Sequence, residues 1–397
     1  MIINSQPDTT KLQAAFEPLV YTVTEAALNT TISAALEVKV LVDGNQKEIL
    51  YYDSINTETI GSDLNCHFKI DISEAVQKWL PNIESVFVAA FVSANYVASV
   101  VKGTIDTQIA IVPYLPNTEG LLVRVPFDET IPFNFQSIGA YLKETQTIDS
   151  LIPFVVSSDE QRFLTNKPIF SNIGVGEKEF LWYFNARNIA FLGAIYIRIF
   201  NKANGVIGAD FFNINATADK ILCMNVGPES IMSIAQGASL SDIDYYEVRL
   251  VDADGYNITE VRKYYVQHNC NGYRLHFLNQ FGFYDSVSLQ TDFKENNIVK
   301  SDYFEKNRDK SHVYSRSQTR LSVYSQKTYD AQITNLSDAQ VSWLQELLLS
   351  PSVFWEKDGV LLPVNIEDGS NVLKQTAEIN ELKLSFSLSN RTFSQRG

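Results

Sequence analysis

Turn motifs set between runs of alternating apolar and polar residues recur along most of this 397-residue sequence. Alternation with period two places one face of a strand against a core, and two-residue hairpin turns need the positive φ angles that Asp-Gly and Asn-Gly tolerate. The pattern therefore predicts a mainly β protein built from antiparallel hairpins. The turns and their flanking runs are Asp43-Gly44-Asn45 in 36–52, Asp254-Gly255 in 245–266, and Asp358-Gly359 and Asp368-Gly369 in 352–379.

Two segments have the apolar spacing and the end signals of short helices. The first, DISEAVQKWLP (71–81), offers Asp71 or Ser73 as the N-cap and ends at a proline. The second, LSDAQVSWLQELLLSP (336–351), opens with a Ser-x-x-Gln capping box and also ends at a proline. Helices are therefore expected to be few and short.

Changes of pattern divide the chain into three predicted regions, residues 1–116, 117–268 and 269–397. Short strands such as 179–184 and 194–202 are typical of a sandwich. The first two regions are interpreted as immunoglobulin-like antiparallel β-sandwiches. The third is expected to be a β-rich domain that carries one short helix.

The segment NGYRLHFLNQFGFYDSVSLQ (271–290) predicts a hairpin with an aromatic turn. Turns are normally polar, yet Phe281, Phe283 and Tyr284 surround Gly282 here. The turn is therefore expected to be buried, either under another element of the chain or against another chain. Most of the 24 Phe and 19 Tyr fit β cores and cross-strand pairs, and some are expected at subunit contacts, where such residues are enriched.

Charge and hydropathy exclude two classes of partner. The chain has 32 Lys and Arg against 46 Asp and Glu, a formal net charge of −14, and no basic stripe, so nucleic acid is not expected to bind. The longest apolar run, VFVAAFV (86–92), is far shorter than the ~20 residues that span a bilayer. No membrane insertion is expected, and a start without basic and apolar signal regions predicts synthesis in a cytoplasm.

Cysteine and histidine spacing predicts neither a disulfide framework nor a metal site. Cys66, Cys223 and Cys270 are widely spaced and are interpreted as ordinary thiols. His268 and Cys270 are two possible ligands without a third or fourth nearby. We therefore expect no bound metal.

Two glycine-containing motifs resemble cofactor or ion loops but favour turns. IGVGEKEF (173–180) lacks the third glycine of a dinucleotide fingerprint and leads into a strand. DADGYNITE (252–260) places Tyr256 where a calcium loop needs a ligand. No nucleophile elbow, zinc-protease motif or P-loop occurs, so we predict neither a cofactor nor an enzyme. The sequence alone would not reveal a catalytic pair of carboxylic acids such as a glycan hydrolase uses.

Both ends of the chain resemble tail structural proteins of phages that infect Bacteroidota. At the start the resemblance rests on AAFEPLVYTVTEA (14–26) and FKIDISEAVQKWLP (68–81), and at the end on 343–391, which is similar to proteins of the distal-tail type. It is poor across 90–240. The group's aromatic hairpin is matched by Phe277, Leu278, Asn279, Gly282, Phe283, Tyr284 and Asp285, although a second glycine is common where Phe283 stands.

The resemblance implies a distal-tail-like C-terminal domain and a structural role in a phage tail or baseplate. Such a protein would be made in the host cytoplasm, form a ring or collar by homotypic contacts, dock other tail proteins and end in the virion. A ring can bury an apolar turn under a neighbouring subunit. The side chains predicted for the subunit contact are Phe281, Phe283, Tyr284, Trp343 and Trp355, and no catalytic residue is implied.

Other functions stay open from the sequence. A receptor-recognition protein at the tail tip would bind surface glycan through exposed aromatic residues and would be a monomer or a trimer. A cell-wall or glycan hydrolase would lose turnover when one carboxylate is replaced. A contractile injection machine would use the same parts as a phage tail.

Overall fold

The computed structural model describes 19 stretches of the chain, and every structural statement below concerns these residues. They are 2–7, 12–28, 34–60, 63–93, 99–101, 104–117, 119, 121–125, 134–155, 161–185, 191–216, 221–232, 239–268, 273–289, 294–305, 318–367, 372–376, 379–390 and 392–393.

The described residues form mostly strands, with a few short helices, which confirms the mainly β fold class. The strands are β1 (Ile2–Ser5), β2 (Gln13–Ala14), β3 (Val20–Leu28), β4 (Ala35–Val42), β5 (Asn45–Asp53), β6 (Asn56–Ile60), β7 (Asp63–Asp71), β8 (Ser99–Val101), β9 (Ile105–Pro116), β10 (Leu122–Arg124), β11 (Phe135–Ile138), β12 (Phe170–Gly174), β13 (Phe180–Phe184), β14 (Phe191–Phe200), β15 (Val206–Ala216), β16 (Ile221–Asn225), β17 (Tyr245–Asp252), β18 (Arg262–Gln267), β19 (Tyr273–Leu278), β20 (Tyr284–Leu289), β21 (Lys294–Glu305), β22 (Gln318–Leu336), β23 (Val353–Lys357), β24 (Val360–Ile366), β25 (Val372–Thr376), β26 (Ile379–Leu388) and β27 (Thr392–Phe393). The α-helices are α1 (Ser73–Gln77), α2 (Ile83–Val92), α3 (Ile152–Val155), α4 (Pro228–Ile231) and α5 (Asp338–Leu349).

The N-terminal part is a sandwich of two sheets. Strands in the order β1-β3-β7-β6 face strands in the order β2-β11-β9-β4-β5, with β10 paired to β9. Apolar side chains of both sheets, such as Phe68 and Ile109, share one core. Because β10 and β11 belong to this sandwich, it includes strands that follow residue 116, where the sequence suggested a boundary.

The central part is a second sandwich. A sheet in the order β12-β18-β17-β14-β15 faces a smaller one in the order β13-β16-β8. Every residue of β13 is buried because the smaller sheet is covered on both sides. Tyr183 points into the core between these two sheets, and Trp182 points to the other side. Strand β8 comes from the N-terminal part of the chain and pairs with β16, so the two parts share this sheet.

The C-terminal part is a sheet in the order β20-β19-β23-β24-β26-β22-β21, with β25 on β26 and β27 on β22. Helix α5 covers one face of this sheet, and Leu344 and Leu347 pack against it. The predicted capping box is confirmed, because Ser337 Oγ accepts from the Gln340 backbone N at 3.3 Å and the Gln340 side chain accepts from the Ser337 backbone N at 2.9 Å.

Three of the predicted hairpin turns are observed. Asp43-Gly44 joins β4 to β5, Asp358-Gly359 joins β23 to β24, and a turn at Asp254-Gly255 follows β17, which pairs with β18. The fourth turn, Asp368-Gly369, lies outside the described residues. Its flanking strands β24 and β25 each pair with β26, so the prediction that they form one hairpin is wrong.

One helix prediction needs correction, and one further helix was not predicted. Helix α1 begins after Ile72, which has no side-chain cap, although Asp71 Oδ1 accepts from the Ser73 backbone N at 3.0 Å. Helix α2 was missed, since its residues are apolar almost throughout and show no polar face. Its N-cap Asn82 accepts from the Ser85 backbone N at 3.1 Å, and this residue was the available signal.

The turn between β19 and β20 is held against the N-terminal sandwich by a glycine contact. Gly282 has φ +80°, and a Cβ atom built there would lie 2.4 Å from the Gly139 carbonyl O. Real side chains do not approach a backbone oxygen that closely, so this position needs glycine for space as well as for backbone conformation.

We predict that Gly282→Ala lowers the free energy of unfolding by several times the ~1 kcal/mol that a positive φ alone costs. Gly359→Ala is the matched control, because Gly359 has φ +74° and open space around its Cβ position. Denaturant unfolding of the two variants checks the comparison. Equal losses in both variants would show that the contact with Gly139 is not a constraint.

Candidate functional site

The aromatic turn is buried by three other parts of the same chain. Phe281 packs on Phe154 at 4.4 Å between ring centroids, and Phe283 lies 5.2 Å from Trp182. Tyr284 stacks on Phe87 of α2 at 4.2 Å, with 14° between the ring planes. The sequence predicted that the turn is buried either under other elements of the chain or against another chain, and the first alternative is observed.

All five side chains predicted for subunit contact are covered in the folded chain. Phe281, Phe283, Tyr284, Trp343 and Trp355 are exposed by 4% or less. Trp343 donates its indole N–H to Asp285 at 2.8 Å, and Trp355 packs 4.9 Å from Tyr329. Because a neighbouring subunit could reach them only if the fold opened, we do not propose them as subunit contacts.

Polar residues fasten the same turn. Asn279 Oδ1 accepts from the backbone N atoms of Phe281 and Phe283 at 2.9 and 3.1 Å, which shapes the turn. The Gln280 backbone N donates to Glu346 of α5 at 3.0 Å. Glu346 has a fully buried side chain and also accepts from Lys143 at 2.8 Å. The turn is therefore fixed by backbone, side-chain and charge contacts together.

A buried charge cluster lies beside the turn, between the central and C-terminal parts. Lys167 Nζ donates to both carboxylate oxygens of Glu179, at 2.8 and 2.9 Å, and Arg274 of β19 also donates to Glu179. Arg274 donates further to Glu177 at 3.0 Å. Buried charges are stable only when they are paired and hydrogen-bonded, and these are.

A histidine and a carboxylate extend the cluster. His276 has a ring nitrogen 2.8 Å from Ser286 Oγ and another 3.0 Å from Glu356 Oε2. Burial lowers the pKa of His276, which favours the neutral ring. The side chain has no exposed surface, so a substrate cannot reach it. The arrangement fits a structural network better than acid-base chemistry.

The adjoining cavity does not change that interpretation. It measures about 260 Å³, and its lining includes Lys167, Ser286 and Ser288. Ser286 contacts His276, and Ser288 donates to Glu177 at 2.6 Å. Since these polar atoms already have partners inside the chain, they are not free to bind a ligand.

The described residues contain neither a cluster of metal ligands nor a helix that could span a membrane. Within them, no three His, Cys, Asp or Glu side chains lie close enough to bind a metal ion together. His268 contacts the Ile243 carbonyl O at 2.9 Å, and Cys270 lies outside the described residues. None of the described helices is long and apolar enough to cross a membrane.

The best candidate surface for an interaction is a hairpin that projects from the C-terminal sheet. Strand β26 accompanies β22 only from Thr328 to Leu336, and β27 pairs with it at Tyr324 and Ser325, whereas β21 follows β22 out to Gln318. We call residues 294–305 and 318–327 the arm. Its ten residues of β22 extend roughly 30 Å at the usual rise per strand residue.

One side of the arm is in line with the core-facing side of β22. Among the described residues, nothing covers this side. Tyr329, Ala331 and Ile333 on that side are buried in the C-terminal core. By strand alternation, Val299 and Tyr303 of β21 lie on the same side, and they are 57% and 52% exposed. Ile298 and Phe304 expose 43% and 52% on the other side.

The charge of the arm differs from that of the rest of the chain. The arm contains four Lys or Arg and three Asp or Glu, a net +1, so the remainder of the −14 chain carries −15. Sequence reasoning treated this segment as a polar stretch. Its apolar residues stand in short pairs among polar ones, and only the pairing of β21 with β22 shows that they form the two sides of one hairpin.

Comparisons with known proteins give little further information. No protein-family model matches the chain. No curated protein matches it either. A solved structure from Bacteroides ovatus, SGBP-B of a mixed-linkage glucan utilization locus in complex with a mixed-linkage heptasaccharide, is similar over 85% of this chain and 72% of its own, at 12% identity. Its TM-score of 0.14 carries no argument about fold or function.

We predict that Glu179→Gln destabilises the protein by about 3–5 kcal/mol, because it leaves Lys167 and Arg274 buried with reduced compensation. Glu48→Gln is the control, since its partner Lys78 is 61% exposed and an exposed pair contributes little. Chemical denaturation at pH 7 measures both. A similar small effect for both variants would contradict a structural role for the cluster.

The buried Asp285 should make stability depend on pH. It accepts from Thr165 and Trp343 at 2.6 and 2.8 Å, and burial raises its pKa from 3.8 to about 6. The folded chain therefore keeps this proton to a higher pH than the unfolded chain does. The contribution of Asp285 to stability falls as the pH rises through this window.

We predict that Asp285→Asn gains stability relative to the unchanged protein by up to about 3 kcal/mol as the pH rises from 4 to 7, since one pKa unit corresponds to about 1.4 kcal/mol. Unfolding curves at several pH values measure the difference. Asp254→Asn, at an exposed turn, is expected to show no such trend. Parallel pH profiles for Asp285→Asn and the unchanged protein would refute the assignment.

Proposed function

We propose that the chain is a structural component of a phage tail or baseplate, which forms a ring through homotypic contacts and docks other tail proteins. The observation that carries the homotypic contact is the arm, an exposed hairpin with apolar side chains on both sides. Exposed apolar surface that continues a core is typical of protein interaction sites. The tail assignment itself rests on the sequence resemblance at the two ends of the chain.

A second copy of the chain is the occupant that suits the arm. The arm has a net positive charge and the remainder of each copy is strongly negative, so an arm is attracted to the body of a neighbour. Strand β21 is also a free edge of its sheet. Edge strands are open to pairing with another chain. A contact between an arm and a body is heterologous, and such contacts close into rings when the rotation permits.

The interior supports a mechanical role. The N-terminal, central and C-terminal parts share one aromatic core around the turn at Gly282, and the central and C-terminal parts also share a buried charge cluster. A subunit of this kind transmits force without rearrangement of its parts, because packed interiors deform little. This property suits a tail ring.

We predict that Val299→Ser with Phe304→Ser lowers the mass of the assembled protein to that of the monomer, because it removes one exposed apolar side chain from each side of the arm. Light scattering after size exclusion, with negative-stain images of the same fractions, measures the change. Val360→Ser with Tyr256→Ser is the matched control, because these residues are 56% and 72% exposed outside the arm.

The control variant is expected to form the same rings as the unchanged protein. Rings that persist in the arm variant would remove the arm from the subunit contact. A monomeric unchanged protein at the highest attainable concentration would contradict homotypic ring formation. Phe283→Ser is unsuitable as a test, since this side chain is 1% exposed and its loss would unfold the chain before it reported on assembly.

A further inference from the structure

The outer face of the central five-stranded sheet carries aromatic and basic side chains. Its inner face packs against the core of the central sandwich. Strand register places every second residue on the outer side. We call this surface the aromatic-cation face, and it consists of Phe170, Tyr196, Arg198, Phe200, Phe211, Tyr245, Glu247, Arg249, Lys263 and Tyr265.

These residues form three rows across the strands. In one outer row, Phe211 stacks on Tyr196 at 4.4 Å, and Arg249 follows on the next strand. The middle row contains the charged residues Arg198, Glu247 and Lys263. The remaining row is aromatic and is formed by Phe200, Tyr245 and Tyr265, of which the first two stack at 4.5 Å.

The cations lie on aromatic rings, although Glu247 stands between Arg198 and Lys263 in the middle row. The Arg249 guanidinium is 4.7 Å from the Tyr196 ring centroid, and that of Arg198 is 5.0 Å from Phe200. Lys263 Nζ is 3.5 Å from the Tyr245 centroid. Within the described stretches neither guanidinium forms a salt bridge, and the buried Arg249 Nε has no hydrogen-bond partner. Glu247 is the single acidic residue at the outward positions of these strands.

The face therefore has a local charge of +2 in a chain of −14. A positively charged surface of this kind attracts an anion, and guanidinium groups bind carboxylates with paired hydrogen bonds. Its aromatic residues include Phe170, Phe211 and Tyr265, which are 56%, 53% and 38% exposed. Exposed rings beside unpaired guanidinium groups suit a ligand that alternates apolar ring faces with acidic groups.

We propose that the aromatic-cation face binds an acidic polysaccharide, with sugar carboxylates on Arg198 and Arg249 and sugar rings on Phe211 and Tyr265. Nucleic acid suits the face less well. Its phosphates are denser than the two free guanidinium groups can neutralise, and the strongly negative remainder of the chain repels it. A polysaccharide with one acidic group per one or two rings presents fewer charges. The inference does not depend on ring formation.

The test is affinity electrophoresis and titration calorimetry with three probes: polygalacturonate, neutral dextran and poly(dT). Polygalacturonate is expected to retard the protein, and the other two are not. Arg198→Gln with Arg249→Gln should weaken binding to polygalacturonate by about tenfold or more, since hydrogen bonds between charged groups contribute about 1.5–3 kcal/mol. Arg198→Lys with Arg249→Lys should restore part of the affinity.

Lys300→Gln with Lys327→Gln is the control, because it removes the same charge from the arm and should leave binding unchanged. Melting curves establish that all variants are folded. Three results would overturn the proposal: no binding to polygalacturonate, equal binding by the double glutamine variant, or equal retardation by poly(dT). A change of oligomeric state in that variant without a change in polysaccharide binding would assign the face to a protein contact instead.

Discussion

The close approach of Gly282 to Gly139 is the constraint on which the remaining structure depends. A side chain at position 282 would collide with the Gly139 carbonyl, so only glycine lets the turn enter the space between the three parts of the chain. Once it is there, Phe281, Phe283 and Tyr284 each pack on a different partner. The turn thus joins sheets that are far apart in sequence into one interior.

Electrostatics reinforces the same junction. Glu179 compensates Lys167 and Arg274 where water is excluded, and such a cluster is stable only when all its members are present in one geometry. The cluster therefore fixes how the central and C-terminal parts meet more than it adds to overall stability. We propose two exposed surfaces for interaction with other molecules, the arm and the aromatic-cation face. Both surfaces carry positive charge on an acidic chain, so each attracts negatively charged partners.

Local features were predicted well, and the candidate sites were not. The Asp-Gly turns at 43–44 and 358–359 and the capping box of α5 depend on neighbours within a few residues, and all were observed. Helix α2 was missed because its sequence is apolar almost throughout, so no alternation of polar and apolar faces marks it, although only Phe87 and Phe91 are buried. The five predicted contact residues are covered by the chain itself. The sequence did not show this, because aromatic content predicts burial but does not tell which surface covers the aromatic residues.

The sequence by itself determined the β class, most turns, the acidic charge and the need to bury the aromatic turn, because these follow from short-range backbone preference and composition. Only the tertiary structure decided what covers the turn and which side chains remain exposed. Strand order and register place Val299 opposite Ser325, and Arg249 beside Tyr196, through pairings between distant segments. A linear pattern does not encode such pairings, because the partner strand and the register are selected by packing of the whole chain.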